Sequence, residues 1–236
     1  MKRLAEWIVR KRFFVLIGMT LVTLLFGVAS LRIDMYTAFS DLLPTKHPFI
    51  SVHNKFSKVF GGANLVLLSV EVKDGDIFNT KTLEKIKKLT EVLELTQGAS
   101  NYQIFSIARQ KVKDVRATSW GIEVQPIMWP DVPRGSEALE QLRNAVYANP
   151  TVAGRLVSMD GKAALITAAF HEERLDYAQL FRRVRSAARE AEDANTKVYA
   201  AGEPILYGWI YYHLRDILLL IGLTSLTLLG LLMLYY

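Results

Sequence analysis

The sequence predicts two membrane helices flanking an α+β domain built from repeated β-α-β units. Three observations carry this. Two apolar runs, residues 13–31 and 217–236, hold 19 and 20 residues without a charge. At about 1.5 Å per helical residue each spans roughly 30 Å, the thickness of a bilayer's hydrocarbon core. Between them, residues 32–216 have ordinary globular polarity and alternate short β-branched runs with amphipathic helical patterns.

Residues 1–12 form a basic tail. Lys2, Arg3, Arg10, Lys11 and Arg12 stand against Glu6, so +4 of the chain's net charge of +6 sits here. Beside a membrane span this reads as the positive-inside signal. It predicts a cytoplasmic N-terminus, a first helix over 13–31 that crosses outward, and a central domain outside, which is the periplasm of a Gram-negative cell. A nucleic-acid binder would carry its basic excess on the folded domain, so that class is set aside. The first run is longer than the usual signal-peptide core of about 7–15 residues, which favours a retained anchor over a cleaved leader. Trp7 before the first span, and Tyr207, Trp209, Tyr211 and Tyr212 before the second, fit aromatic belts at the membrane interfaces. No basic loop follows Tyr235 and Tyr236, so the chain is expected to be the N-terminal part of a longer membrane protein.

Residues 32–63 read as a lead-in, interrupted by Pro44 and Pro48, with a short helix over 51–60 stopped by Gly61 and Gly62. Residues 64–205 read as the domain proper, long enough for two subdomains. Residues 64–72 are a partly buried strand. Asn79 or Thr80 caps a helix to about Leu95 that turns Leu83, Ile86, Leu89 or Thr90, and Leu93 inward. Residues 102–108 and 118–128 alternate as strands, the second with a bulge at Gly121. Ser136 caps a helix to Ala148, with Leu139, Leu142 and Val146 inward. Residues 155–159 and 162–170 form a hairpin around Asp160 and Gly161. Asp176 and Gln179 resemble a capping box. The helix they open has the best inward face in the chain: Tyr177, Leu180, Phe181, Val184, Ala187, Ala188 and Ala191. Residues 197–201 are a last strand, and Gly202, Glu203 and Pro204 turn the chain into an interfacial segment and second span over 206–236. The order is β-α-β three times, which suggests ferredoxin-like sandwiches.

No catalytic constellation, metal site or cofactor site is predicted. The chain has no cysteine and no phosphate loop. His47, His53, His171 and His213 lack metal-ligand spacing. Arg182, Arg183, Arg185 and Arg189 lie opposite the apolar face of their helix. They are either an anion or lipid-headgroup contact or a solvated face paired with Glu190 and Glu192, and the second reading is the expectation. Tyr207, Trp209, Tyr211 and Tyr212 are candidates for lining a lateral path for a lipid-like substrate. Neither apolar run holds an ionisable residue, so any group that couples transport to an ion gradient is expected downstream.

Several features in order resemble the resistance–nodulation–division (RND) superfamily of exporters. The basic tail, first helix, large β-α-β domain and second helix follow its plan. Asp41-Leu42-Leu43-Pro44 with His47-Pro48, Phe60-Gly61-Gly62 before the strand at 64–72, and Gly202-Glu203-Pro204 before the second helix resemble segments of its predicted-exporter branch. The absence of an obvious docking insertion brings it nearer to the lipid-type exporters. The resemblance implies an inner-membrane, multi-pass, proton-driven exporter of hydrophobic or lipid-like substrates, not an enzyme, with this part as the first ferredoxin-like porter domain. It also implies as partners the bilayer, the rest of its own chain, further copies of itself and periplasmic proteins. Two other readings share the tail–span–domain–span plan. One is a two-span chemoreceptor or histidine-kinase sensor with a missing cytoplasmic output domain. The other is a polysaccharide chain-length regulator, which would need long amphipathic helices before its second span.

Overall fold

The computed structural model describes residues 10–30, 47–60, 64–171 and 175–235. It divides the chain into two units, Met1–Val52 and His53–Tyr236. Lys2, Arg3, Trp7, the Asp41–Pro44 segment, Gly61, Gly62 and Tyr236 fall outside the described residues.

The first unit contains helix α1, Arg12–Ser30. Its apolar stretch runs Phe13–Ala29, and none of its described side chains is buried. Phe13, Phe14, Met19 and Phe26 are all more than half exposed, a load of apolar surface suited to lipid. Thr23 donates its hydroxyl to the Met19 carbonyl (2.8 Å), so its polar atom is satisfied within the helix. Helix α2, Pro48–Phe60, starts earlier than expected. Pro48 suits a first helical turn, where the missing N–H has no partner to lose, and the His47 ring accepts from the Phe49 N–H (3.3 Å).

The second unit holds a four-stranded sheet of spatial order β2-β5-β1-β6. The strands are β1 (Leu65–Val72), β2 (Ala99–Phe105), β5 (Ala163–Phe170) and β6 (Thr196–Ala201), and every pairing is antiparallel. Helix α3 (Thr80–Glu94) joins β1 to β2, and helix α5 (Tyr177–Ala191) joins β5 to β6. Two β-α-β units thus interleave in one sheet, a split connectivity. The expectation of repeated subdomains is corrected to this extent: among the described residues there is one such sheet, because β5 and β6 both pair with β1.

The strand pattern explains the layering. Val66, Leu68, Val70 and Val72 of β1 point to one face and are buried, while Leu65 and Glu71 on the other face are exposed. Ile104 of β2, Ile166 of β5 and Val198 of β6 join them. Leu83, Ile86, Leu89 and Leu93 of α3, with Leu180 and Val184 of α5, close the core from above. Burying each such side chain contributes about 1.5–3 kcal/mol. The caps are as expected at both helices. The Asn79 side chain accepts from the Thr82 N–H (2.9 Å), and Asp176 accepts from the Gln179 N–H (2.9 Å).

Between β2 and β5 lies an insertion, and here the expectations need correction. Residues 118–128 are not one strand. Strands β3 (Lys113–Thr118) and β4 (Gly121–Pro126) form a separate hairpin closed by Ser119 and Trp120. Gly121 is the first residue after that turn, at φ +142°, rather than a bulge. Helix α4 (Ser136–Ala148) buries Leu142, Ala145 and Val146. Its N-cap is Gly135, with no side-chain cap bond, and Ser136 is already helical. The expected hairpin is short on its first side: around the Asp160–Gly161 turn, Val157 bridges Ala164 and also Ala153, with Ser158 and Leu165 donating to the Ala163 and Leu156 carbonyls (2.9 and 2.7 Å).

Helix α6 runs unbroken over Glu203–Tyr235. Its stretch Glu203–Leu232 is long and apolar enough to cross a membrane. Thr224 and Thr227 donate their hydroxyls to the Leu220 and Leu223 carbonyls (2.9 and 2.7 Å), as Thr23 does in α1. The interfacial segment and second span expected over 206–236 are therefore parts of one helix.

Candidate functional site

The site lies where the sheet hands the chain to α6. β6 is the edge strand, and Gly202 turns out of it at φ +119°. Its Cα sits against the backbone of Leu65 and Val66, so only glycine fits both the angle and the space. The Ile205 and Leu206 N–H groups donate back to the Gly202 carbonyl (both 3.1 Å), which starts α6 at once. Pro204 is tolerated in this first turn. Tyr207 donates its hydroxyl to Glu203 one turn earlier (2.8 Å).

The first turns of α6 cross α5 along an aromatic seam. Tyr177 meets Tyr207 edge-on (centroids 5.5 Å apart) and stacks with Tyr211 (6.2 Å). Phe181 meets Tyr212 at 5.7 Å. Buried Gly208 lets the two backbones approach between these rings. The Tyr177 hydroxyl lies 3.2 Å from Asn64 Oδ1 and so ties the seam to the start of β1. Tyr207, Tyr211 and Tyr212 are thus placed in the seam. Trp209 faces the other way, half-exposed, with its ring 5.0 Å from that of His213.

Trp209 lines a groove of about 600 Å³ between α5, β6 and α6. Val184, Ala188, Val198 and Ile205 make it largely apolar, and Arg185 and Arg189 stand along one side. The Arg185 guanidinium lies over the rings of Phe181 (5.8 Å) and Tyr212 (5.6 Å). The expected pairing of this arginine face with Glu190 and Glu192 is corrected. Glu190 pairs with Lys88 (2.7 Å), and Glu192 accepts from the Val198 N–H (3.3 Å). The arginines were visible in the sequence, but Arg185 and Arg189 stand beside the apolar face on the stripe of Phe181 rather than opposite it, and the strand and helix that make them a wall were not visible. Their signal was spacing: Phe181, Arg185 and Arg189 recur every four residues on one helical stripe.

A polar clamp fixes the corner between α5 and β6. Asp193 accepts from Lys81 (2.6 Å) and Lys85 (2.8 Å) of α3, and from the Asn195 and Thr196 N–H groups (3.0 and 2.8 Å). The lysine hydrogen bonds, then that of Asn195, hold its carboxyl well below the usual carboxylate range. Among the described residues no three His, Asp or Glu side chains gather as metal ligands would.

A model of the MMPL family matches residues 54–236, from within α2 to the end of the chain. A relative in Methanocaldococcus jannaschii, named "Putative membrane protein MJ1562", is 24% identical over 108 residues. That alignment covers 43% of this chain and 28% of the relative's length. The family match takes in the whole sheet, the groove and the membrane-length helix that leaves it, and on this ground the chain belongs to the MMPL family.

Proposed function

We propose that this chain is the N-terminal part of a proton-motive-force-driven exporter of lipid-like or hydrophobic substrates. Residues 64–205 supply its first porter module, a ferredoxin-like element of the substrate path above the membrane. The N-terminus is cytoplasmic, the domain is periplasmic, and α1 and the apolar part of α6 cross the inner membrane. The observation that carries this is the continuity of α6. One helix forms a wall of the apolar groove and then becomes a membrane-length apolar rod. A hydrophobic molecule at the membrane surface would meet that wall without crossing open water, where its exposed apolar surface is costly. Membership of a transporter family supports the same reading and speaks against an enzyme.

The test is gradient-driven export by the full-length gene product in liposomes, with a hydrophobic fluorescent dye as substrate. Dye movement that needs an imposed proton gradient and stops with an uncoupler is the expected result. Dye movement indifferent to the gradient overturns the reading. The coding sequence past Tyr236 gives a second test. Further apolar spans, one with a buried Asp or Glu, are expected of a proton-coupled protein. A soluble signalling module there would make the domain a ligand sensor instead.

A further inference from the structure

We propose that the groove between α5, β6 and α6 binds the anionic headgroup, and the adjoining part of the tail, of a lipid drawn from the membrane. This deepens the exporter reading, and rests on it for the claim that the bound lipid is cargo.

The groove offers both halves of the recognition. Its floor is apolar, from Val184, Val198 and Ile205, all buried. Arg185 and Arg189 stand one turn apart on the same wall. The Arg185 guanidinium lies near the rings of Phe181 and Tyr212, and an arginine in such a position can offer its N–H groups to an oxyanion in a fork. The opposite wall adds a backbone donor. In β1, Val72 donates its N–H to Lys162 beside β5, so the even residues of β1 face β5 and its odd residues pair with β6. By that parity Thr196, Val198 and Ala200 of β6 turn their N–H groups outward. Asp193 takes that of Thr196 and Glu192 that of Val198. The N–H of Ala200, which lines the groove, has no protein acceptor among the described residues. Glu192, the one acidic side chain of the lining, is engaged at this far end.

Size and place select the ligand. The volume suits a small molecule or one end of a larger one, since such sites run about 300–1,000 Å³. His213, at the membrane end, precedes the apolar run at Ile217 by four residues, about 6 Å of helix. That is headgroup depth, given a hydrocarbon core of about 30 Å within a bilayer of about 40–45 Å. A lipid phosphate at this level would meet the two arginines while its tail lies along the floor.

The experiment uses the full-length protein in nanodiscs of phosphatidylcholine with a minor fraction of acyl-brominated phosphatidylglycerol. The readout is quenching of Trp209, isolated by difference from Trp209→Phe. Brominated phosphatidylglycerol is expected to quench Trp209, and brominated phosphatidylcholine at the same fraction is not. The double variant Arg185→Gln/Arg189→Gln is expected to need about tenfold more phosphatidylglycerol. Ala200→Phe, which fills the groove and leaves the charges in place, should abolish quenching with the melting temperature unchanged. Dodecyl phosphate should relieve quenching, and inorganic phosphate should not. Equal quenching by both lipids, or none lost in either variant, overturns the site. Relief by inorganic phosphate makes it a site for free anions and overturns the lipid. Export is measured separately. Lipid binding without any gradient-driven export removes the exporter reading and leaves the site. Wild-type export of phosphatidylglycerol by the double variant removes the cargo claim and leaves the exporter.

Discussion

Gly208 of α6 lies against the backbone carbonyl of Tyr177 in α5, so closely that a Cβ would overlap that oxygen. The two helices therefore touch backbone to backbone at the centre of the aromatic seam. Gly208→Ala gains about 1 kcal/mol of helix propensity, but overpacking of this kind costs about 1–3 kcal/mol. A lower melting temperature in detergent is expected, with weakened near-ultraviolet circular dichroism from the parted tyrosines. An unchanged spectrum would mean that α5 slides freely and that the seam is not held here.

The Asp193 clamp makes stability depend on acid. Its carboxyl titrates lower in the folded chain than the value of about 3.9 it has unfolded. Its contribution is therefore complete above that unfolded value and is lost as pH falls below about 4. Wild-type protein should lose melting temperature over this acid range more steeply than Asp193→Asn, and the two curves should converge at the acid end. Parallel curves would show that the lysines of α3 do not hold the corner.

A buried hydroxyl pair ties α3 to the loop after β2. Thr90 donates to the Ile86 carbonyl (2.7 Å), and its oxygen lies 2.8 Å from Ser106 Oγ, which also accepts from the Ala108 N–H (3.2 Å). Ser106 is fully buried. With the Thr90 proton used on Ile86, Ser106 donates to Thr90. Thr90→Val keeps the shape and strands the Ser106 proton, which costs about 1–3 kcal/mol. The double variant Thr90→Val/Ser106→Ala should recover much of that loss in chemical denaturation, since both polar groups are then gone.

The absence of cysteine makes topology directly readable. Trp120, at the tip of the β3–β4 hairpin, is 95% exposed, and Lys11 is exposed beside the first apolar helix. In spheroplasts, Trp120→Cys should react with a membrane-impermeant maleimide, and Lys11→Cys only after lysis. The reverse pattern would place the domain in the cytoplasm and dismiss the periplasmic reading.

Where a pattern was local, the sequence already displayed it. The partly buried strand β1, the inward stripe of α5, and the caps at Asn79 and Asp176 each follow from residues a few positions apart, and each is present in the structure. The β3–β4 hairpin was hidden because alternation runs through Ser119 and Trp120 with no Asn-Gly or Asp-Gly to mark a turn. Its outward face also reverses the usual sense. Val115 pairs with Val124, and Ala117 with Ile122, on the exposed side, while Asp114 and Gln125 face the cleft beneath α4. The groove was hidden for a different reason. It needs α5, β6 and α6 together, and their adjacency comes from β6 pairing with β1, more than 120 residues earlier. The aromatics before the second span stood out by composition, but only the crossing at Gly208 separates Trp209 from the three tyrosines.

Helix α6 has 33 residues, so it measures about 50 Å from end to end. Its single proline, Pro204, is in the first turn, so the rest has no proline kink. The aromatic seam grips one end, and the other end is membrane-length apolar surface. Such a rod behaves as a lever. A tilt of about 10° imposed at its apolar end would swing the gripped end by about 9 Å over this length. The seam joins that rod to α5, so the angle at which the helix stands in the bilayer is passed to the domain that carries the groove.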